Sequence, residues 1–140
     1  MSEVDLKPFA PFAELTDADR DVLLDLVERR ELSAGEVVLS EGDEADGLVL
    51  VERGLLEVKS ERAGELATLE AGHHLGGLSL GSMGRREVTV TASEPSSVLL
   101  LSREAFVRLV EDAPRAATRI LEAVLHELST TLRSGLDRFL

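Results

Sequence analysis

Between residues 31 and 101 the chain is cut into short Val- and Leu-rich runs by turn residues, and beyond residue 101 that punctuation stops. This change of rhythm constrains the fold more than any other feature. Val37-Val38-Leu39 is followed by Glu41-Gly42-Asp43, and Leu48-Val49-Leu50-Val51 by Arg53-Gly54. Leu55-Leu56-Glu57-Val58 comes next, then Ala63-Gly64, Leu66-Ala67-Thr68-Leu69 and Ala71-Gly72. Val88-Thr89-Val90-Thr91 leads into Ser93-Glu94-Pro95, and Val98 to Leu101 ends the series. Apolar runs this short, bounded by turn formers, predict strands rather than helices. Six or more of them predict a mainly β sandwich or jelly roll.

Helices flank this region. Thr16 has the position of an N-cap, with Asp19 three residues on as an acidic capping-box variant. Val22, Leu23, Leu26 and Val27 then fall on one helical stripe. After the strands, Ser102 is placed to cap a short helix through Phe106, Leu109 and Val110. Asp112 is placed to cap a second, with Pro114 in its first turn, where a missing N–H costs little. From there to Leu140 the pattern supports about 40 Å of helix. Leu121, Leu125, Leu128, Leu132, Leu136 and Phe139 form a stripe close to a coiled-coil seam. Its first half is expected to pack on the β region. From Leu128 onward a homodimer contact competes with that packing, although Gly135 weakens the helix there by about 1 kcal/mol relative to Ala.

At 140 residues the chain is expected to be one domain, 1–140, with a β-roll at about 31–101 and C-terminal helices at about 103–138. With no Trp or Tyr, aliphatic side chains must fill the core. The absence of cysteine excludes disulfides, thiol catalysis and thiolate metal sites. The N-terminus lacks the layout of a signal peptide, and no apolar stretch nears the roughly 18 residues that span a bilayer. A cytoplasmic protein without membrane contact is the expectation. A net charge of −12, with no basic cluster longer than Arg29-Arg30 or Arg85-Arg86, opposes binding to nucleic acid or anionic lipid.

Catalytic constellations do not assemble. Ser79 and Ser82 lie near His73 and His74, but no nucleophile-elbow motif is present. Contiguous histidines on a strand point to opposite faces and chelate a metal poorly, which weighs against a cupin-type metalloenzyme. No catalytic or metal-ligating residue is assigned, and no enzyme is expected.

The order helix, β-roll, short helix, long helix resembles that of cyclic-nucleotide-binding domains, over nearly the whole chain. The residues that carry the resemblance are Phe12-Ala13-Glu14-Leu15-Thr16, Ala34-Gly35-Glu36-Val37, Glu41-Gly42-Asp43, Gly54 and Leu69-Glu70-Ala71-Gly72. Leu75 to Leu80, Arg85-Arg86 and Leu101 to Phe106 complete it. The resemblance implies a jelly-roll fold of double-stranded β-helix type and a phosphate-binding cassette at Gly76 to Thr91. In ligand-binding members a Gly-Glu pair opens a short helix whose amides face the nucleotide, and the Glu accepts from the ribose 2′-hydroxyl. An Arg about nine residues later pairs with the cyclic phosphate.

Carried over residue by residue, Gly76 takes the family's Gly and Arg86 its phosphate Arg. Leu78, Ser79 and Thr89 continue the candidate site, and Thr131 falls where a base-contacting threonine stands on the long helix. Two positions depart. Gly77 stands in place of the ribose-binding Glu, and Glu87 directly follows Arg86, where a small residue is expected. Glu87 is expected to repel an anion and to neutralise Arg86, with Arg85 offsetting it in part. The resemblance therefore implies a non-catalytic regulatory module whose pocket is degenerate and which acts through protein contacts. A sensor of cyclic AMP or cyclic GMP is the alternative. A regulator of the catabolite-activator type would need a DNA-binding module, which these residues do not contain.

Overall fold

The computed structural model describes residues 4–80 and 84–137. Eight strands among the described residues form two antiparallel four-stranded sheets, with helices before and after them. In one sheet β1 (Glu28–Leu32), β8 (Ser96–Ser102), β3 (Gly47–Arg53) and β6 (His74–Leu75) lie side by side. In the other the order is β2 (Val37–Leu39), β7 (Thr89–Ala92), β4 (Leu55–Ser60) and β5 (Gly64–Glu70). Strands adjacent in space are mostly distant in sequence, the crossover pattern of the predicted jelly roll.

The unbroken apolar runs at Leu48–Val51 and Val98–Leu101 have a simple cause. Leu48, Leu50, Leu99 and Leu101 pack on the helical layer, against Phe12, Leu23, Phe106, Leu109 and Ile120. Val49, Val51 and Val98 face the other way and meet Leu56, Val58, Val90 and Ala92 of the second sheet. Strands covered on both faces read as continuous hydrophobic runs instead of alternating. Each such side chain contributes roughly 1.5–3 kcal/mol by leaving water. β3 thus separates two cores.

A polar tie crosses the same sheet. The Glu52 carboxylate on β3 accepts from Arg29 Nε at 2.9 Å and Nη2 at 2.6 Å on β1, and from Ser97 Oγ at 2.6 Å on β8. Burial pushes the Glu52 carboxyl up, but these bonds more than reverse that and hold it below the usual carboxylate range.

The helices refine the sequence expectations. A 3-10 turn, Ala10–Phe12, precedes α1, Asp17–Leu24. Thr16 caps α1 as expected, its Oγ1 accepting from Asp19 N at 3.1 Å. The helix stops sooner than its stripe implied, however. Leu26 and Val27 lie beyond its end and Val22 is exposed, leaving Leu23 as its buried anchor. Ser102 caps α2, Arg103–Asp112, through a bond from Ala105 N at 3.0 Å. Phe106 and Leu109 are buried while Val110 is exposed. Asp112 is the last residue of α2 rather than a cap, and α3, Pro114–Asp137, starts at the proline itself.

The 24 residues of α3 extend about 36 Å at 1.5 Å per residue. Its buried face is Ala116, Ala117, Ile120 and Val124, set to one side of the leucine stripe. Leu121 and Leu128 are half-buried at the margin of that face, whereas Leu125 and Leu132 are 60% and 58% exposed. The side chain of Leu136, and Phe139 altogether, lie outside the described residues. No helix among the described residues is long and apolar enough to cross a membrane.

Two strands were illegible as apolar runs. β1 reads Glu-Arg-Arg-Glu-Leu and buries only Leu32, as suits an edge strand whose polar side chains pair or face water. The other is β6, two residues long.

Candidate functional site

The candidate cassette begins where β6 ends. Gly76 has φ of +89°, in the left-handed region that glycine tolerates best. A side chain there would also lie 2.6 Å from Arg86 Nη1 and 2.7 Å from the Gly47 carbonyl oxygen. The chain next makes a 3-10 turn, Gly77–Leu80, pinned by a bond from Ser79 N to Gly76 O at 2.9 Å and by burial of Leu80. The side chain of Leu78, and Ser82 altogether, lie outside the described residues.

Arg86 returns to this turn from the far end of the cassette. Its backbone is held on the 42–43 segment, with Arg86 N donating to Asp43 O at 2.7 Å and Gly42 N to Arg86 O at 2.8 Å. Only 8% of the residue is exposed. Nη2 donates to Gly47 O at 2.9 Å, Nη1 makes a long 3.4 Å contact with Ser79 Oγ, and Asp46 Oδ1 lies 3.6 Å from Nη2. Nε is buried and has no hydrogen-bond partner among the described residues. Burial lowers the guanidinium's pKa and Asp46 opposes that shift, so the group is a desolvated cation with incomplete pairing. Arg86 also borders a cleft of about 300 Å³ between the sheets, walled by Leu39, Val49 and Leu100 and lined by Arg30 and Asp46.

The expectation that Glu87 neutralises Arg86 is corrected. Glu87 is exposed, and the carboxylate beside the guanidinium is that of Asp46. Arg86 is drawn inward to the start of β3, while its neighbour is left in water. Arg85, also exposed, donates from Nη1 to Gly42 O at 2.8 Å. Thr89 lies on β7 with its Oγ1 accepting from Glu41 N at 3.0 Å, a bond that ties the β2–β3 connection to the sheet.

Helix α3 meets the cassette at Gly77. An ideal Cβ on Gly77 would stand 3.0 Å from Val124 Cγ2 and 3.3 Å from Cγ1. One turn on, Glu127 Oε1 lies 3.1 Å from His74 Nε2, whose side chain is 12% exposed. His73, by contrast, is exposed, with Nδ1 accepting from Glu70 N at 2.9 Å. Thr131 is not brought to the cassette. It is exposed, and its Oγ1 donates to Glu127 O at 3.0 Å within its own helix.

Gly76, Gly77, Ser79 and Arg86 are therefore one cluster, Thr89 supports it, and Glu87 and Thr131 stand apart. Sequence reasoning missed Asp46, Gly47, Val124 and Glu127. A signal existed for Gly47, a glycine directly ahead of a doubly buried strand. Val124 gave none, because it lies off the leucine stripe. Among the described residues no three His, Asp or Glu side chains gather as a metal site.

A family model described as "Cyclic nucleotide-binding domain" matches residues 29–113, which include the whole cassette. This chain belongs to the cyclic nucleotide-binding domain family. As a domain of that family it is 32% identical over 105 residues to a cAMP-dependent protein kinase regulatory subunit of Eremothecium gossypii. It is 33% identical over 106 residues to the one of Yarrowia lipolytica. Each alignment covers 75% of this chain, and 23% and 28% of those proteins respectively, so the chain spans about a quarter of their length. Among solved structures, the N-terminal domain of a transcriptional regulator from Streptomyces coelicolor A3(2) matches with a TM-score of 0.80 at 29% identity. That match covers 91% of this chain and 95% of the other. The Thermus thermophilus catabolite activator protein matches with a TM-score of 0.78 at 27% identity, covering 93% of this chain and 62% of that one. The cyclic nucleotide-binding domain fold and its kinship with regulatory proteins are thereby established.

Proposed function

We propose that this domain is a non-catalytic regulatory module of the cytoplasm whose cassette is filled by its own side chains and which acts through protein contacts. The observation that carries the proposal is the seat of Val124 on Gly77, at the position where the family resemblance puts a ribose-binding carboxylate. Arg86 adds to it, since its Nη2 already serves Gly47 O. The partner surface is the stripe of α3 around Leu121, Leu125, Leu128, Leu132 and Leu136, used to form a homodimer. Leu125 and Leu132 stand exposed one heptad apart, the spacing of a coiled-coil seam. With a charge of −12 the module does not engage nucleic acid.

A second reading is favoured by one specific observation, the unpartnered Nε of buried Arg86. A buried cation with a free donor suits an anion, and the cyclic phosphate of cyclic AMP or cyclic GMP fits that chemistry. Isothermal calorimetry and thermal shift with both nucleotides separate the two. Under the first reading millimolar nucleotide leaves the melting temperature unmoved. Micromolar saturation that Arg86→Ala abolishes would establish the second.

A further inference from the structure

We propose that Val124 is the specificity-determining residue of the cassette: it and Gly77 form a matched pair in which the helix side chain takes the volume that a residue 77 side chain would need. The proposal rests on the self-filled reading above and says what does the filling. Six glycines in the described chain have positive φ, among them neighbouring Gly76, and there backbone geometry alone explains the residue. Gly77 is not one of them. Its backbone accepts any side chain, so the demand for glycine comes from outside the turn.

The three atoms nearest an ideal Cβ on Gly77, its chain neighbours apart, are Val124 Cγ2, Cγ1 and Cβ at 3.0, 3.3 and 3.7 Å. A β-branched valine on a helix has little rotamer freedom with which to retreat. Val124 is itself 6% exposed, so any retreat pushes on packed neighbours. That helix is held nearby by the His74–Glu127 contact, which joins it to the strand leading into the cassette. A side chain at residue 77 therefore requires Val124 to give by a few tenths of an ångström from its present seat. A ligand gripped by a residue 77 carboxylate would have to compete with Val124 for this space, whereas Arg86 makes its own contacts with Gly47 and Ser79.

A mutant cycle tests this directly, using the full chain and four proteins: wild type, Gly77→Ala, Val124→Ala and the double variant. Gly77→Ala alone is expected to lower the melting temperature by about 5 °C, as overpacking does. In the Val124→Ala background the same change should cost less than about 1 °C, because the cavity receives the added methyl. Additive effects would overturn the pairing. Calorimetry with cyclic AMP supplies a readout that packing alone does not move. Gly77→Glu with Val124→Ala is expected to bind at least tenfold more tightly than Gly77→Glu alone, and equal affinities would refute the specificity role. Tight binding of cyclic AMP by the wild type would sink the self-filled reading, yet leave the outcome of the melting cycle to decide the pairing.

Discussion

The guanidinium of Arg86 donates to the backbone carbonyl of Gly47 at 2.9 Å, joining the end of the cassette to the first residue of β3. A side chain that the family resemblance assigns to a ligand is here also a structural tie. It supplies a charged donor to the carbonyl of a buried residue.

Replacing Arg86 by Met is accordingly expected to cost stability even with no ligand present. A charge-assisted bond to a buried carbonyl is worth about 1.5–3 kcal/mol. Urea unfolding followed by far-ultraviolet circular dichroism measures it, because the chain has no Trp or Tyr to report by fluorescence. Unchanged stability would mean that the Gly47 contact carries no weight.

Gly47→Ala should be more damaging. A Cβ there would lie 2.3 Å from the Leu101 carbonyl oxygen and 2.8 Å from Ser102 Cα, both backbone atoms that cannot step aside. Separating β3 from β8 in the centre of a sheet is expected to cost about 3 kcal/mol, at the upper end for a single substitution. A variant that melts with the wild type would contradict the close strand approach.

Glu52 predicts how stability responds to acid. Its folded-state pKa is depressed, so its contribution is complete above the unfolded carboxyl value of about 4.3. That contribution fades as pH falls through the lower folded value. Glu52→Gln should therefore weaken the protein by roughly 2 kcal/mol at pH 7, through lost charged bonds to Arg29. The gap to wild type should narrow below about pH 4. A gap constant from pH 7 to pH 3 would show that the carboxylate's charge is not what ties the strands.

Leu125 and Leu132 test the assembly. Changing both to Glu leaves the fold intact, since they are mostly exposed, and should convert a dimer to a monomer by light scattering. A wild type that is already monomeric at high micromolar concentration would end the proposed seam.

Much of this was legible in the residues, and the rest failed for physical reasons. The β-roll could be read because its buried strands are short aliphatic runs between glycines. Thr16 and Ser102 could be read because capping is a local interaction. β1 could not, because an edge strand of Glu and Arg has no apolar period. Asp112 misled because the same residue type serves as an N-cap and as an exposed helix end. At the site, Gly76 and Arg86 carried their positions in a motif, whereas Asp46 and Val124 reach the cassette only through tertiary folding. Glu87 misled most. Adjacency in sequence suggested an ion pair that the inward turn of Arg86 prevents.

The double cover of β3 has one more consequence. Its two ends are clasped by arginines from elsewhere, Arg86 at Gly47 and Arg29 at Glu52, and both its faces are dry. Amide protons along Leu48 to Val51 should then exchange with deuterium only when the whole domain opens, whereas those of the outer strand β5 should exchange through local fraying. The slowest-exchanging amides would thus sit beside the cassette, giving that surface a rigid floor.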